Sequence, residues 1–530
     1  MLLSSLSVLV VSSVLGAWPS DPTMNLGIGE ASGNQAVPKA ASGPDGSVWF
    51  GWFDNTTGSY QVRVQRVDFQ GNETFAHNGL VVSAHPQSTS LNDWDMMVDS
   101  QGNAVLVFND TRAGSDRDIY AYRVSPSGQF LWGADGVTIS ANDDFEPDPR
   151  VVETSTGDFA IVWPRTGGAA ETRGLYMQRL NGGGVKQLAP DGVKLTIFAG
   201  ENPAFAEMVA SDNGSVIVVW QKDTTSFPSP RHVHTQKFTD AGFPMWNAVS
   251  PVVLSTTAVP IAHRLRIVSD GAGGAVYAWH DTRNGPFDGW VQRVDANGAQ
   301  LWAQGGVAVA TTASEMELDP SITYDPASGD VFVVARSTNS AQSQFNYIAQ
   351  RISAAGNRML TDDGVQLFAR SQNSLSAART FWAPNGGVMM AYTQTQFGSV
   401  DSTVFAWRLR NDGTSLWGSE PVRISPTTGA RFRIAPALAA NGMLRVGWEG
   451  DTRNDPSGDI FAQNISQQGT TGYCLGDGTW DRKVNFNDLN QILSQFGQAG
   501  LFRFGDSNGD GLVNFADLNL VLSNFGTVCE

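Results

Sequence analysis

The sequence predicts an all-β fold, an eight-bladed β-propeller closed by an N-terminal strand, with a small α-helical module behind it. Three observations carry that expectation. A short apolar run ending in an aromatic residue recurs eight times at a nearly constant step. Each recurrence is followed by a second strand-like run with a basic residue in register and by glycine-bearing turns. Beyond residue 472 the strand-like alternation gives way to apolar stripes of helical period.

The apolar runs are SVWFGW to Trp52, NAVLVF to Phe108, DFAIVW to Trp163, SVIVVW to Trp220, GAVYAW to Trp279, DVFVVA to Ala335, GVMMAY to Tyr392 and MLRVGW to Trp448. Their ends are spaced by 56, 55, 57, 59, 56, 57 and 56 residues. The basic series is Arg66, Arg123, Arg179, Lys237, Arg293, Arg351 and Arg408, with Asn464 in the last copy. GxxLW-like pieces around Trp132, Trp246, Trp302 and Trp417 and GVxIS-like strands complete each unit of about four strands. Repeated four-stranded units of this kind build propellers. The eighth copy stops near Ser466, before its outermost strand, and MNLGIG at Met24–Gly29 has the look of that missing strand. The propeller is therefore expected over 24–466, a linker over 467–472 and the module over 473–530.

Composition agrees. At 530 residues the chain should split into domains, and 41% hydrophobic residues suffice for real cores. Glycine (57) and tryptophan (16) are abundant while charged residues make up only 16%, which suits turns and flat side chains on pleated sheets. A net charge of −17 repels a phosphate backbone, so nucleic acid is not an expected partner, whereas divalent cations are favoured. Met1–Ala17 reads as a secretory signal peptide cleaved near Ala17, placing the protein outside the cell or at its surface. No later segment is apolar enough to span a membrane. An exported chain meets an oxidising environment, and its only cysteines, Cys474 and Cys529, bracket the module, so a disulfide is expected over two free thiols.

The module carries the strongest chemical signal. Asp506, Asn508, Asp510, Asn514 and Asp517 stand at places 1, 3, 5, 9 and 12 of a loop, with Gly511 at its sharp turn and the Leu512 carbonyl as a further ligand. Calcium takes six to eight hard oxygens, and this alternation points them at one centre. Leu518, Val521, Leu522 and Phe525 then mark one apolar helix face, stopped by Gly526. The same face stands 29 residues earlier at Leu489, Ile492, Leu493 and Phe496, behind a loop with Asp477, Asp481, Asn485 and Asp488. Two such units are expected to bury their stripes against each other.

On these residues, 474–529 resemble the bacterial dockerin family of type I, with paired EF-hand-like calcium loops. The resemblance implies two calcium sites, the first completed by Thr479 and the Lys483 carbonyl. Thr479 and Arg482 replace the usual Asn and Gly of the family, so the second site is expected to be the stronger. It also implies a cohesin-like or cell-surface partner. The Ser-Thr pair with which relatives often meet cohesins is replaced here by Phe486-Asn487 and Phe515-Ala516.

The blades give weaker clues. Asp110–Arg112, Asp281–Arg283 and Asp451–Arg453 repeat an Asp-Thr-Arg whose plainer reading is a hairpin-bracing pair. Asp93, Asp95, Asp143, Asp144, Glu146, Asp148, Glu315 and Glu317 crowd the loops and could supply a carboxylate pair for glycoside hydrolysis, though a solvated acidic surface is the simpler expectation. His232, His234, His263 and His280 are a thin basis for a zinc site. Arg150, Glu207, Arg264 and Arg379 fall on the innermost strands and suit an anionic or hydroxyl-rich ligand in the channel. No catalytic residue is assigned. The expected function is a secreted calcium-binding protein whose propeller recognises carbohydrate or protein and whose module anchors or recruits it. The alternative is a carbohydrate-active enzyme, a glycoside hydrolase or polysaccharide lyase, carrying the same module.

Overall fold

A computed structural model describes residues 18–87, 93–114, 117–166, 172–196, 201–223, 231–260, 264–285, 287–312, 314–383, 387–452, 455–501 and 503–529. The expected signal peptide, His263 and Arg453 lie outside the described residues.

The strands form eight separate antiparallel sheets. In blade 1 the order from the inside outward is Gln35–Ser42, Val48–Asp54, Gln61–Val67 and Leu80–Ser83. Blade 8 has Arg431–Leu438, Leu444–Thr452 and Asp455–Ile465, and its fourth, outermost strand is Leu26–Gly29. That strand pairs Leu26 with Ala462, Gly27 with Phe461 and Gly29 with Ile460. The inner strands of blades 1 and 8 lie side by side, so the ring closes as the sequence predicts. Blade 7 alone splits its inner strand, into Ser374–Leu375 and Arg379–Trp382, both pairing with Val388–Thr395.

The recurring apolar runs are second strands. Those of blades 1, 2, 3 and 5 are buried at every position, as a strand covered on both faces must be. The aromatic that ends each run packs into the seam with a neighbour: Trp163 joins Val107, Ile119 and Ile139 of blade 2. Ala335, where the aromatic is lost, is equally buried. In blades 1 to 6 the basic series ties the third strand to the turn between the first two. Arg123 meets Asp99 at 2.6 Å, Arg293 meets Asp270 at 3.0 Å, and Arg66 and Lys237 reach Asp45 and Asp212. The Asp-Thr-Arg motifs brace hairpins: the Arg112 Nε donates to Asp110 at 3.0 Å while its guanidinium lies 3.7 Å from the centre of the Tyr120 ring.

Helices α1 (Phe486–Gln495) and α2 (Phe515–Ser523) follow the two loops. Asn485 and Asn514 cap them, each completing a capping box with Asp488 or Asp517. Ile492 and Val521 are buried with Val484, Val513 and Cys474, and Leu489 and Leu518 pack alongside. The rest of each stripe differs from expectation: Leu493, Phe496, Leu522 and Phe525 are exposed. Two helices of ten and nine residues meet along a single narrow seam, which is too short to cover a four-residue stripe from each. Cys474 and Cys529 are joined by a disulfide across 55 residues.

The stretch 467–472 is packed rather than free. Arg408 and Trp417 donate to the Gln467 carbonyl at 2.9 and 2.8 Å, and the Asn464 side chain holds Gly472 from both sides. The module sits on blades 1 and 8. Trp480 packs on Ala439 and Met443, and the Tyr473 hydroxyl donates to the Ser507 carbonyl. Gly46, at φ 77°, is pressed so closely that a Cβ there would lie 2.2 Å from the Asn508 carbonyl oxygen.

Deleting Met24–Gly29 should lower the melting temperature of the propeller, because it removes buried Ile28 and leaves the edge Ile460–Ala462 unpaired. Ile28→Ala alone should cost about 2–5 kcal/mol. Unchanged melting of the deletion would refute closure by this strand. Replacing Cys474 and Cys529 by Ser should destabilise the module by roughly 4 kcal/mol on the chain-entropy account, read as faster amide exchange in α1 and α2.

Candidate functional site

The inner strands carry a repeated irregularity. Val37, Phe205, Asp319 and Arg433 have φ between 42° and 53° and sit where strand pairing skips, between Ala36 and Lys39, Ala204 and Glu207, Leu318 and Ser321, and Phe432 and Ala435. Asp148, at φ 53°, holds the equivalent place before the inner strand of blade 3. Such bulges re-aim the residues that follow, and a β-branched residue at positive φ is strained. Two positions beyond Val37, Asp148 and Phe205 stand Lys39, Arg150 and Glu207, all turned into a cavity at the channel mouth.

There the side chains of successive blades form a ladder of alternating charge. Lys39 meets Asp93 at 2.7 Å, Asp93 meets Arg150 at 3.0 Å, Arg150 meets Glu207 at 3.0 Å, and Glu207 meets Arg264 at 3.3 Å. Arg264 returns to Asp93 at 2.9 Å and reaches Asp148 at 3.5 Å. Burial would raise the Asp93 carboxyl, but Lys39, Arg150 and Arg264 outweigh it and hold it far below its ordinary range. Burial likewise opposes ionisation of Glu207, and Arg150 and Arg264 win, keeping it low. Asp95 goes the other way: burial raises it despite Arg150 and Lys39. The cavity has a volume of about 480 Å³ and is also lined by Arg266, Arg379 and Arg433.

Arg150, Glu207, Arg264 and Arg379, placed on innermost strands by sequence, thus converge as expected. Lys39, Arg266 and Arg433 were missed. Arg150 and Arg264 each lie 57 residues from Glu207, and Asp93 lies 57 before Arg150, so counting alone reaches Asp93. Strand pairing instead sets Asp95 and Arg266, opposite Val107 and Ala278, in register with Arg150 and Glu207. The acidic loop residues scatter. Asp93 and Asp95 line the channel, Glu146 is buried against Arg165 at 2.8 Å, and Glu315 is paired with Arg370. Asp143 is exposed, Asp144 is half-buried, and Glu317 is buried and pushed up to about 8 by burial and by Asp288, Glu315 and Asp363. No two of them face each other across the cavity as an unpaired acid pair among the described residues.

His232 and His234 have ring centres 6.2 Å apart. The sequence showed no carboxylate beside them, but Glu201 takes the His234 Nδ1 at 3.0 Å and the Trp220 indole at 2.9 Å. His280 accepts the Asp319 N–H at 3.1 Å, on another blade.

The module's two loops are built alike. Asp506 accepts the N–H groups of Gly509, Asp510 and Gly511, and Asp517 those of Ser507, Asn508 and Asn514. Asp477 accepts from Asp481 and Arg482, and Asp488 from Thr479 and Asn485. Asp510 takes the Leu512 N–H and Asp481 the Lys483 N–H. Among the described residues no group of three His, Cys, Asp or Glu is gathered as a metal site. The charge of these carboxylates is met by no ion pair among the described residues. Burial pushes Asp506 up to about 7 and Asp477 up to about 6, and it raises Asp517 as well. Buried acids of this kind, ringed by Asn and carbonyl oxygens, fit a hard divalent cation that would restore the missing charge. The loops differ at their turns. Gly509 and Gly511 take positive φ freely, whereas Trp480 and Arg482 take 60° and 65°, at a cost of roughly 1–2 kcal/mol each.

No family model and no curated protein matches the chain. Solved structures with a similar arrangement include a protein of unknown function from Dyadobacter fermentans, with a TM-score of 0.37 and 11% identity over 83% of this chain and 98% of that one. The Dos1 propeller is similar at 0.45 and 11%, covering 85% and 94%. An α-L-arabinanase from Penicillium chrysogenum, solved with arabinobiose, is similar at 0.32 and 14%, covering 62% and 96%. Likenesses this distant bear on neither ligand nor activity.

Without divalent cation, the raised acids should make the module more stable in acid than in base. Their contribution is full below about 3.8 and is lost as pH rises through about 6 for Asp477 and about 7 for Asp506. Amide exchange in α1 and α2, measured in chelator from pH 4 to 8 and corrected for intrinsic rates, should show protection falling across that window.

Proposed function

We propose that this is a secreted two-part protein: the propeller recognises a ligand at its channel mouth, and the C-terminal module binds two calcium ions and anchors the protein to a partner surface. The observation that carries the reading is the set of buried loop acids, Asp477, Asp506 and Asp517, which burial raises and which form no ion pair with a lysine or arginine among the described residues. Calcium supplies the absent charge. In the second loop the Asp506, Asn508, Asp510, Asn514 and Asp517 side chains and the Leu512 carbonyl would hold it. In the first, Asp477, Thr479, Asp481, Asn485, Asp488 and the Lys483 carbonyl would do so. The second is the tighter site, because its turn uses glycine where the first strains Trp480 and Arg482.

The exposed face of the module supports an anchoring role. Phe486 packs edge-on against Phe525 and Phe496 against Phe515, at 4.9 and 5.0 Å, and the two pairs are related by the 29-residue repeat. All four rings are exposed, with Leu493 and Leu522 beside them. Within this apolar face Phe486 and Phe515 stand where members of the dockerin family often carry a hydroxyl residue. The face suits a cohesin-like or cell-surface protein with an apolar patch of its own.

A carbohydrate-active enzyme is the second reading, favoured by the acids and arginines gathered at the channel mouth. Calorimetric titration of the full chain should show two calcium sites of unequal affinity. Asp506→Asn with Asp517→Asn should abolish the tighter one and leave the weaker. A chain that takes up no calcium would sink the proposal. Release of new reducing ends from a polysaccharide panel would establish the enzyme reading.

A further inference from the structure

The chain carries a net charge of −17, yet its channel mouth is basic: six cationic side chains face Asp93, Asp95 and Glu207. The acids are already engaged. Asp93 and Glu207 are shared among Lys39, Arg150 and Arg264, and Asp95 takes the Val151 N–H at 3.0 Å. Arg433 is answered by Glu449 at 2.7 Å. Two guanidinium groups lining the cavity form no ion pair among the described residues. Arg379 has its Nη1 shut away from water with no hydrogen-bond partner among the described residues. Arg266 is held below its ordinary value by burial, with Arg264 and Arg150 as like-charged neighbours and only partial relief from Glu207 and Asp319.

A buried donor left unsatisfied is costly, and one carrying charge more so. A planar guanidinium is shaped to grip an oxyanion through two parallel bonds. The cavity, at about 480 Å³, is of the size that takes a small organic molecule. The Arg150–Glu207–Arg264 ladder beside it offers both donors and acceptors, as a ring of hydroxyl groups requires.

We infer that the channel mouth binds a carboxylated sugar, a uronic acid, with Arg379 and Arg266 gripping the carboxylate and the charge ladder meeting the hydroxyls. This rests on taking the channel mouth as the recognition face. Sulfate and phosphate share the oxyanion chemistry and lack the hydroxyl ring. Neutral sugars have the ring and lack the charge.

The test is calorimetric titration of the full chain with calcium present, using galacturonate, galactose, sulfate and phosphate. Galacturonate should bind, more weakly as salt rises, and galactose should not. Arg379→Gln and Arg266→Gln should each weaken galacturonate at least tenfold. Arg379→Lys, which keeps the charge but not the fork, should also weaken it. Arg358→Gln, on the outer part of blade 6, should change nothing. Melting temperatures of all variants should match that of the parent, which separates lost binding from lost fold. No galacturonate binding by the parent, or equal binding of galactose, overturns the inference. Sulfate and phosphate binding as tightly as galacturonate overturns the sugar and leaves an inorganic oxyanion site. Calcium uptake is measured in its own titration, so failure of the anchoring proposal leaves this result standing.

Discussion

The antiparallel pairing of Leu26–Gly29 with Ile460–Ala462 is the contact on which the ring depends. Every other blade is built from consecutive chain, so its strands meet by short turns. Blade 8 alone needs a strand from the opposite end of the sequence. With it, the inner strands of blades 1 and 8 come side by side, and the seam between them fills with Trp52, Phe50, Ile28 and Ile460. Ring closure also fixes the channel. Lys39 and Asp93 on one side of the seam and Arg433 on the other share a cavity only because the first and last blades touch.

The channel mouth illustrates how a repeat becomes a site. One register position on the inner strands holds Lys39 in blade 1, Arg150 in blade 3, Glu207 in blade 4 and Ser321 in blade 6. The bulge ahead of it keeps the same geometry each time, so changing the residue changes the chemistry without changing the backbone. Opposite charges one blade apart then neutralise each other in an environment that would otherwise penalise them. Arg266 and Arg379 stand outside that cancellation.

Much of this was legible in the sequence because a repeat reports on itself eight times over. The apolar runs fixed the second strands, and the absence of a fourth strand after Ser466 pointed to MNLGIG. The bracing role of Asp110–Arg112 and Asp281–Arg283 followed from their recurrence, whereas the acid partners of the basic series emerged only in the structure. What was hidden depends on one residue out of register: the bulges at Val37, Phe205 and Arg433 flip the alternation, so Lys39 and Arg433 could not be placed in the channel by counting. Glu201 was invisible as a partner of His234 because it stands just ahead of the inner strand Pro203–Ala210, 33 residues away and with no repeated signature. In the module, a four-residue apolar stripe looked like core, but helical spacing does not say how much of a stripe a neighbour of equal shortness can cover. Phe496 and Phe525 therefore read as interior and stand outside.

The packing of residues 467–472 has a bearing on how the protein works in space. Arg150, Arg266 and Arg379 begin their inner strands, whereas the turn holding Gly46, against which the Asn508 loop of the module is pressed, follows the end of the inner strand of blade 1. Channel mouth and module therefore occupy opposite poles of the propeller axis. The joint between them is clamped by Arg408, Trp417 and Asn464. A supple tether would let a captured propeller sample every direction around its mooring. This joint is instead a bracket: the open mouth points away from the module, like a bowl on a stand. With the module as the anchor proposed above, many copies on one surface would point their mouths in a common direction, as a carpet of outward-facing hollows.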